Sequence, residues 1–595
     1  MHQLSNQHVL ILGLGISGLS MARWCVRHGA NVTVADTREA PPSLAALHIE
    51  CPRVRFVAGP FSEELLALHS WDVIARSPGL PPEQLVFARA WALQHGAAFV
   101  GELDLFAQSL LDLSMRDVFP YHPKVLAITG TNGKTTVTSL TGLLLQRAGW
   151  RVAVAGNIGP ALLDVLGDAL DAEARSQAAQ ADEAPVAVCS TPDAGPVGGV
   201  SASETHEYPQ DTAVEEPILS DGDSDVVAGR VPPPLRVPEP PHLPQVWVLE
   251  LSSFQLDGAA TGVWSGVPTA ATVLNITEDH LDWHGSLDAY SQAKSAVWGT
   301  QALMVINRDD PRIMSMAPAN VTVKVGGRHR QQPERAWTSF GLDVPSRAGD
   351  WGLESVNGMT WLVRALAVDE TRVSRRTSMG PGAAGPADET YLQRLMPVDA
   401  LRIRGRHNAA NALAALALAT STSAALGPML HGLREYRGEP HRVEPVAIID
   451  GVEYFDDSKG TNVGATLAAI RGLGAERPLV VILGGEGKGQ DFVPLAEPLA
   501  RHARTVLLIG RDAPRIRAQV QAALDAAGVP LHDVVSVQDA VSFAAQRAEA
   551  GDAVLLSPAC ASLDMFRDYK HRAEVFVAAV RNLADERGIS LEGGS

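Results

Sequence analysis

Residues 125–147 read VLAITGTNGKTTVTSLTGLLLQR: an apolar run, a glycine-bearing turn, then the apolar spacing of a helix. A strand that feeds a helix through such a turn is the arrangement that cradles a nucleoside triphosphate. Gly130 and Gly133 let backbone N–H groups approach phosphates, and the helix start adds partial positive charge. An ATP site is therefore expected over Gly130, Thr131, Asn132, Gly133, Lys134, Thr135 and Thr136. Lys134 would reach the outer phosphates, and the Thr135 or Thr136 hydroxyl would ligate magnesium. One position departs from the general pattern: Ile128 stands where a glycine is usual.

Upstream, residues 8–20 read HVLILGLGISGLS, in which Gly13, Gly15 and Gly18 space out as G-x-G-x-x-G between a strand and a helix. A second apolar run, Asn31–Ala35, ends at Asp36, about twenty residues on, as a dinucleotide fold would have it. A third, Trp71–Ala75, leads into Arg76-Ser77-Pro78-Gly79. The segment reads as a nucleotide-diphosphate site or as a tight strand-to-helix turn, and it does not say which nucleotide.

Downstream, a second α/β unit begins near Gly101, and its pattern breaks after about Asp168. Residues 171–245 hold 12 of the chain's 39 prolines, 14 acidic residues and three arginines. Such a stretch buries too little apolar surface to offset its ordering entropy, so an acidic, disordered insertion is expected. It carries −11 of the net −18, so the acidity of the chain says little about partners. Residues 371–389 are expected as a loop insertion. The pattern resumes with the strand Val246–Leu251, a helix at 408–420 and a break at Gly438-Glu439-Pro440. A third unit follows with strands Val446–Ile449, Val452–Phe455, Leu479–Leu483, Thr505–Ile509 and Ala553–Leu556. The expected fold is α/β in three domains. They are a Rossmann-like unit (1–100), a central P-loop ATPase-like unit with a parallel sheet (101–438), and a Rossmann-like unit (439–595).

Composition narrows the class. A net charge of −18 argues against a nucleic-acid binder, which would show a basic face. Cys25, Cys51, Cys189 and Cys560 lack the spacing of a disulfide framework or zinc site. No run of 18 apolar residues and no signal-peptide pattern is present, so a cytoplasmic protein without membrane insertion is expected.

Further chemistry clusters at strand ends. Glu250 closes the strand after the insertion, where a carboxylate can meet loop-bound magnesium. NITEDHLDWHG gathers Glu278, Asp279, His280, Asp282 and His284. Lys294, in AYSQAKSAVW, reads by itself as a solvated helix lysine. In the last unit Asp457, Lys459, Thr461, Lys488, Ser557 and Ser562 stand in loops at strand ends. They suit a small anionic amino acid, although a charged loop surface reads equally well.

Nine motifs in fixed order resemble the Mur ligases, the ATP-dependent amide-forming enzymes of peptidoglycan precursor synthesis. They are TGTNGKTT, GNIG (156–159), LELSSFQL (249–256), NITEDHLD (275–282), GRHNAANALAA (405–415), PHRVE (440–444), DDSKGTNVGAT (456–466), GGEGKGQDF (484–492) and LLSPACASLD (555–564). The similarity is greatest to the branch that adds D-glutamate to UDP-N-acetylmuramoyl-L-alanine, with L-alanine-adding relatives as the alternative. An NAD oxidoreductase would leave TGTNGKTT without a task, and a non-catalytic nucleotide binder would not need Lys134, Glu250, His280 and Lys294 together.

The resemblance implies roles position by position. Gly15, Ile16, Ser17, Asp36, Thr37, Arg38, Ser77 and Gly79 match positions that hold the UDP of the sugar substrate, with Asn157 and His280 contacting the same molecule. Lys134, Thr135 and Glu250 match phosphate and first-magnesium positions, and His280 a ligand of the second ion. Asn408, Asn411, Arg442 and Asp457 match further ATP contacts. Lys459, Thr461, Lys488, Ser562 and Tyr569 match the D-glutamate pocket, with Tyr569 where the family pattern has phenylalanine. Lys294 matches a lysine carbamylated by CO2 in this family, an anionic magnesium ligand. His441, at the junction of the second and third units, is expected to assist or orient. A monomer is expected, with ATP as co-substrate and two magnesium ions.

Overall fold

Strand after strand in this chain is an unbroken apolar run, which a parallel sheet covered on both faces requires. The computed structural model describes residues 4–157, 159–183, 242–325, 328–368 and 390–589. The first sheet is all parallel, in the spatial order Arg55–Ala58, Asn31–Asp36, His8–Leu12, Val73–Arg76, Ala98–Gly101. The strand order reverses between His8–Leu12 and Val73–Arg76. The loops at Gly13–Gly15 and Ser77 flank that crevice, where open α/β sheets bind ligands.

The central sheet has nine strands. Its parallel part runs from Val152–Gly156 through Val246–Glu250, Lys124–Thr129, Ala270–Val273 and Leu303–Asn307 to Trp337–Phe340 and Trp351–Val356. The phosphate loop and the Asn275–His280 segment leave neighbouring strands at the second reversal point, between Lys124–Thr129 and Ala270–Val273. The sheet then continues antiparallel through Met359–Ala367 and Thr390–Pro397. This extension was not foreseen from the sequence, because Met359–Ala367 and Thr390–Pro397 mix polar and apolar residues without the strict alternation that marks a half-buried strand. Residues 371–389 link these two strands and lie outside the described residues.

The third sheet runs Glu444–Ile449, Val452–Asp456, Ala553–Leu556, Leu479–Gly484, Ala503–Ile509, Leu531–Asp533, parallel except for its first strand.

One expectation is corrected. The pattern does not break at Asp168, nor does the insertion begin at residue 171: a single helix, Leu162–Glu183, continues through Asp171 and Glu173. Three of its acidic residues, Asp164, Asp171 and Glu173, pair with arginines. Arg23 bonds Asp164 at 2.9 Å, Arg27 bonds Asp171 at 2.7 Å and Arg116 bonds Glu173 at 2.9 Å. Two of these arginines come from the first unit's helix Ile16–Arg27, so this helix braces the first unit against the central one. Of the rest of the expected 171–245 insertion, 184–241 lies outside the described residues, while 242–245 already belong to the fold: Leu243 is fully buried and the Lys124 N–H bonds the Gln245 carbonyl at 2.9 Å.

Packing separates the third unit from the others. One apolar cluster runs continuously from Val9 and Trp24 through Phe106 to Val125 and Trp247, joining the first and central sheets. The two clusters that fill the third unit contain no described residue before Val443. Burial is the dominant non-directional attraction in a fold. No such cluster is shared with the third unit, which meets the centre through polar contacts and through packing of the helix Val463–Gly474 against the start of the helix Arg406–Thr420. Among the described residues no helix is long and apolar enough to cross a membrane.

Candidate active site

The strand Lys124–Thr129 delivers the chain into a loop that only glycine can complete. Gly130 has φ +147°, and a Cβ there would lie 3.1 Å from the Leu274 backbone nitrogen. Gly133 has φ +82° and starts the helix Lys134–Arg147. Asn275 clamps the turn, accepting from the Asn132 N–H at 2.7 Å and donating to the Asn132 carbonyl at 3.0 Å. The Thr131 hydroxyl meets Tyr290 Oη at 3.2 Å.

Two ammonium groups converge on this loop. Lys134 Nζ donates to the carbonyls of Gly130 (2.9 Å) and Thr131 (2.8 Å). Lys294 Nζ donates to the same Gly130 carbonyl at 2.9 Å and sits 4.5 Å from the centre of the Tyr290 ring. Lys294 is 2% exposed, which overturns its reading as a solvated lysine. Burial, reinforced by the neighbouring Lys134, holds its pKa well below the ordinary lysine value. Burial also lowers that of Lys134, against the pull of Glu250.

Glu250, 2% exposed at the end of its strand, is the acceptor hub. Its Oε2 accepts from the Thr135 hydroxyl at 2.9 Å and its Oε1 from the Asn157 amide at 2.8 Å. Thr135 accepts in turn from Arg442 Nη2 at 2.5 Å, an arginine that arrives from the third unit. Asn462 Nδ2 reaches Asn132 Oδ1 at 3.4 Å across the same interface. On the loop's other side a Cβ on Gly133 would lie 2.8 Å from Asn411 Oδ1, and Asn411 donates to Asn408 at 3.1 Å. The expected ATP residues thus converge, except that Asp457 stands apart from the loop. Its carboxylate accepts from the Ser557 hydroxyl at 2.6 Å, and burial pushes its pKa up to about 7.

His280 takes φ +53° at the start of the helix Leu281–His284, with Nε2 3.6 Å from Asp279 Oδ2 and its ring against Phe254. Burial lowers its pKa. Trp283, one turn on, donates from Nε1 to the Leu80 carbonyl at 3.2 Å, so this segment touches the loop that carries Ser77 and Gly79.

The expected sugar-nucleotide residues gather at the first reversal point. Gly18 packs so closely that a Cβ would meet the Gly13 carbonyl at 2.0 Å, and Ser77 Oγ donates to that carbonyl at 2.8 Å. Ile16, Thr37, Arg38 and Gly79 are exposed around them, with Gly15 and Ser17 half-buried. Asp36 accepts from the Leu14 N–H at 2.7 Å and from Arg38 Nε and Nη2, each at 2.8 Å. The Arg38 bonds, above all, hold its pKa down from 3.8 to about 2. A depressed carboxylate stabilises the fold above its unfolded pKa, and that contribution disappears as pH falls through the folded value. The gap in unfolding free energy between wild type and Arg38→Ala should therefore be fully present at pH 5 and close as pH falls from about 4 toward 2. Urea titrations across that window measure it. A gap that does not change with pH would mean that Arg38 contributes nothing through Asp36.

Three loops of the third unit carry the residues expected to hold the amino acid. Lys459 Nζ lies 4.0 Å above the Tyr569 ring, and burial lowers its pKa to about 8. The Thr461 N–H bonds the Lys459 carbonyl at 2.8 Å. Lys488 (φ +47°) and buried Ser562 come together because Glu486 and Ala561 exchange backbone hydrogen bonds. Fully buried Arg572 ties the loops, Nη2 donating to the carbonyls of Ser458 (2.9 Å) and Cys560 (3.2 Å). Tyr569 therefore contributes its ring face, which phenylalanine would supply equally well. Sequence reasoning missed Asn275, Tyr290 and Arg572. Tyr290 lies one helical turn before Lys294 and Arg572 one turn after Tyr569, a spacing that could have flagged both.

Comparisons with known proteins agree along the chain. Residues 7–101 match the Mur ligase MurD-like N-terminal domain, 239–342 the Mur ligase middle domain, and 441–560 the Mur ligase glutamate ligase domain. The chain is 52% identical over 596 residues to the UDP-N-acetylmuramoylalanine–D-glutamate ligase of Albidiferax ferrireducens, covering 100% of both. It is 47% identical to the ligase of that name from Polaromonas sp., covering 99% of this chain and 100% of the relative. Against that of Burkholderia vietnamiensis it is 49% identical, covering 98% of each.

Proposed function

The chain belongs to the Mur ligase family, and on that premise we propose that it is an ATP-dependent acid–D-amino-acid ligase. It joins D-glutamate to UDP-N-acetylmuramoyl-L-alanine in the cytoplasm, a step of peptidoglycan synthesis, and acts as a monomer. Its domains are residues 1–100, 101–438 and 439–595. The observation that carries this reading is the chain of hydrogen bonds from Arg442 through Thr135 to Glu250 and Asn157. It assembles groups of two units at the start of the phosphate-loop helix.

The L-alanine carboxylate of the sugar nucleotide attacks the γ-phosphorus of ATP, giving an acyl phosphate and ADP. The D-glutamate amine then attacks the activated carbonyl, and phosphate leaves. Lys134 and Arg442 offset the negative charge that gathers between carboxylate and triphosphate. Asn408, Asn411 and Asp457 hold the nucleoside side. Gly15, Asp36, Arg38 and Ser77 hold UDP, while Lys459, Thr461, Lys488, Ser562 and Tyr569 hold the amino acid.

Magnesium suits the residues present. Glu250 is buried, pairs with no lysine or arginine among the described residues, and faces a hydroxyl and an amide, a hard oxygen-donor set. When bound, two such ions supply charge neutralisation, held by Thr135, Glu250, His280 and the Lys294 carbamate. The depressed pKa of Lys294 provides the free amine that this modification needs, R–NH2 + CO2 giving R–NH–COO− and a proton. Because the third unit shares no apolar cluster with the others, its closure can exclude water from the acyl phosphate.

An amino-acid panel tests the reading. With ATP and UDP-N-acetylmuramoyl-L-alanine, phosphate release should depend on D-glutamate. Release that instead follows L-alanine on UDP-N-acetylmuramate would move the chain to the alternative branch.

A further inference from the structure

His441 stands in a turn that is costly to make. Both it (φ +65°) and Val443 (φ +49°) occupy the left-handed region, where a side chain strains the backbone. Three bonds hold the turn. The His441 N–H donates to Glu444 Oε2 at 2.8 Å, its carbonyl accepts from the Lys459 N–H at 3.1 Å, and its Nδ1 lies 2.8 Å from Asp456 Oδ2. Asp456 is 0% exposed and ends the strand paired with the one that Glu444 begins. Its other oxygen accepts from both the Ser458 N–H (2.9 Å) and the Ser458 hydroxyl (2.5 Å).

A carboxylate that accepts at both oxygens leaves Nδ1 of the imidazole as the donor. In the neutral ring the proton then resides on Nδ1, and Nε2, on the side of the ring away from Asp456, carries a free lone pair. The ring lies edge-on to Tyr569, 6.1 Å between centroids, and Tyr569 carries Lys459 over its face. The imidazole thus adjoins the amino-acid pocket.

We propose that Asp456 is the positioning residue of an Asp456–His441 pair, which keeps the ring proton on Nδ1 so that Nε2 takes a proton from the incoming amino-acid ammonium. The inference deepens the proposed function and rests on it. Proton bookkeeping closes: the ammonium gives one proton to Nε2 and becomes the nucleophilic amine. The amine attacks the acyl carbon, and the C–O bond to phosphate breaks. The second nitrogen proton leaves with phosphate. The Asp456 hydrogen bond also raises the pKa of His441 against burial, with Glu444 adding to the rise and Lys570 opposing it.

Asp456→Asn tests the pair, since it keeps the shape but replaces an acceptor oxygen with an amide. Ligation kcat should fall about 10²-fold, with little change in KM for D-glutamate or in the first-turnover burst of ADP. His441→Gln should show the same split. The double variant should be no slower than His441→Gln alone, because Asp456 acts through the ring. Ring 15N shifts of the wild-type enzyme should show a protonated Nδ1 and a bare Nε2. A proton found on Nε2, multiplicative losses in the double variant, or an equally diminished ADP burst would each overturn the proposal. Should Asp456→Asn not fold, the wild-type tautomer and the His441→Gln split still decide. Wild-type protein that releases no phosphate on adding D-glutamate would sink the functional reading instead, and the ring shifts would still judge the pair.

Discussion

Lys134→Ala lowers D-glutamate-dependent phosphate release by about 10³-fold, roughly 4 kcal/mol of transition-state stabilisation, while leaving the unfolding midpoint nearly unchanged. The ammonium spans the mouth of the loop, bonded to two of its carbonyls, and among the described residues Lys294 is the one other lysine on the loop, sharing the Gly130 carbonyl. Triphosphate brings more negative charge than those carbonyls, so the ammonium is worth most once nucleotide is bound. Its loss is felt in kcat, since charge grows between the two anions as they react. Initial rates at saturating substrates, with a parallel thermal melt, measure both. A variant that retains a tenth of the wild-type kcat would remove Lys134 from the reaction. The same change withdraws one positive neighbour from Lys294, whose pKa should rise toward the ordinary value.

Glu250→Gln is expected to be of comparable size, about 10²–10³-fold in kcat, together with a higher magnesium concentration for half-maximal rate. The amide nitrogen cannot accept, so either Thr135 or Asn157 loses its partner on Glu250. Where the nitrogen faces Thr135, which already accepts from Arg442, the hydroxyl must give up or reorient its donated bond. A magnesium titration of initial rate separates the two effects. An unchanged half-saturation point would place the metal elsewhere.

Much of this was legible in the sequence because the loops fall where apolar runs end, and a parallel sheet turns every such end into one edge. The phosphate loop, the Gly13–Gly18 turn, Glu250 and the Lys459 loop follow from that rule alone. What was not legible depends on distant packing. Lys294 looked solvated because its own helix is polar, and it is the approach of Thr129 and Gly130 from the phosphate loop that buries it. The antiparallel strands beyond Trp351–Val356 alternate too weakly to stand out from loops. Composition misled at residues 171–183, where acidic side chains without local partners look like a solvated tail until Arg27 and Arg116 are seen to meet them.

That last point bears on anyone who would trim or tag this protein. A cut drawn at residue 171, from amino-acid content, would sever the helix that ties the first unit to its neighbour, stripping Arg27 and Arg116 of their counterions at a stroke. A deletion that respects the described structure keeps the helix through Glu183 and resumes no later than His242.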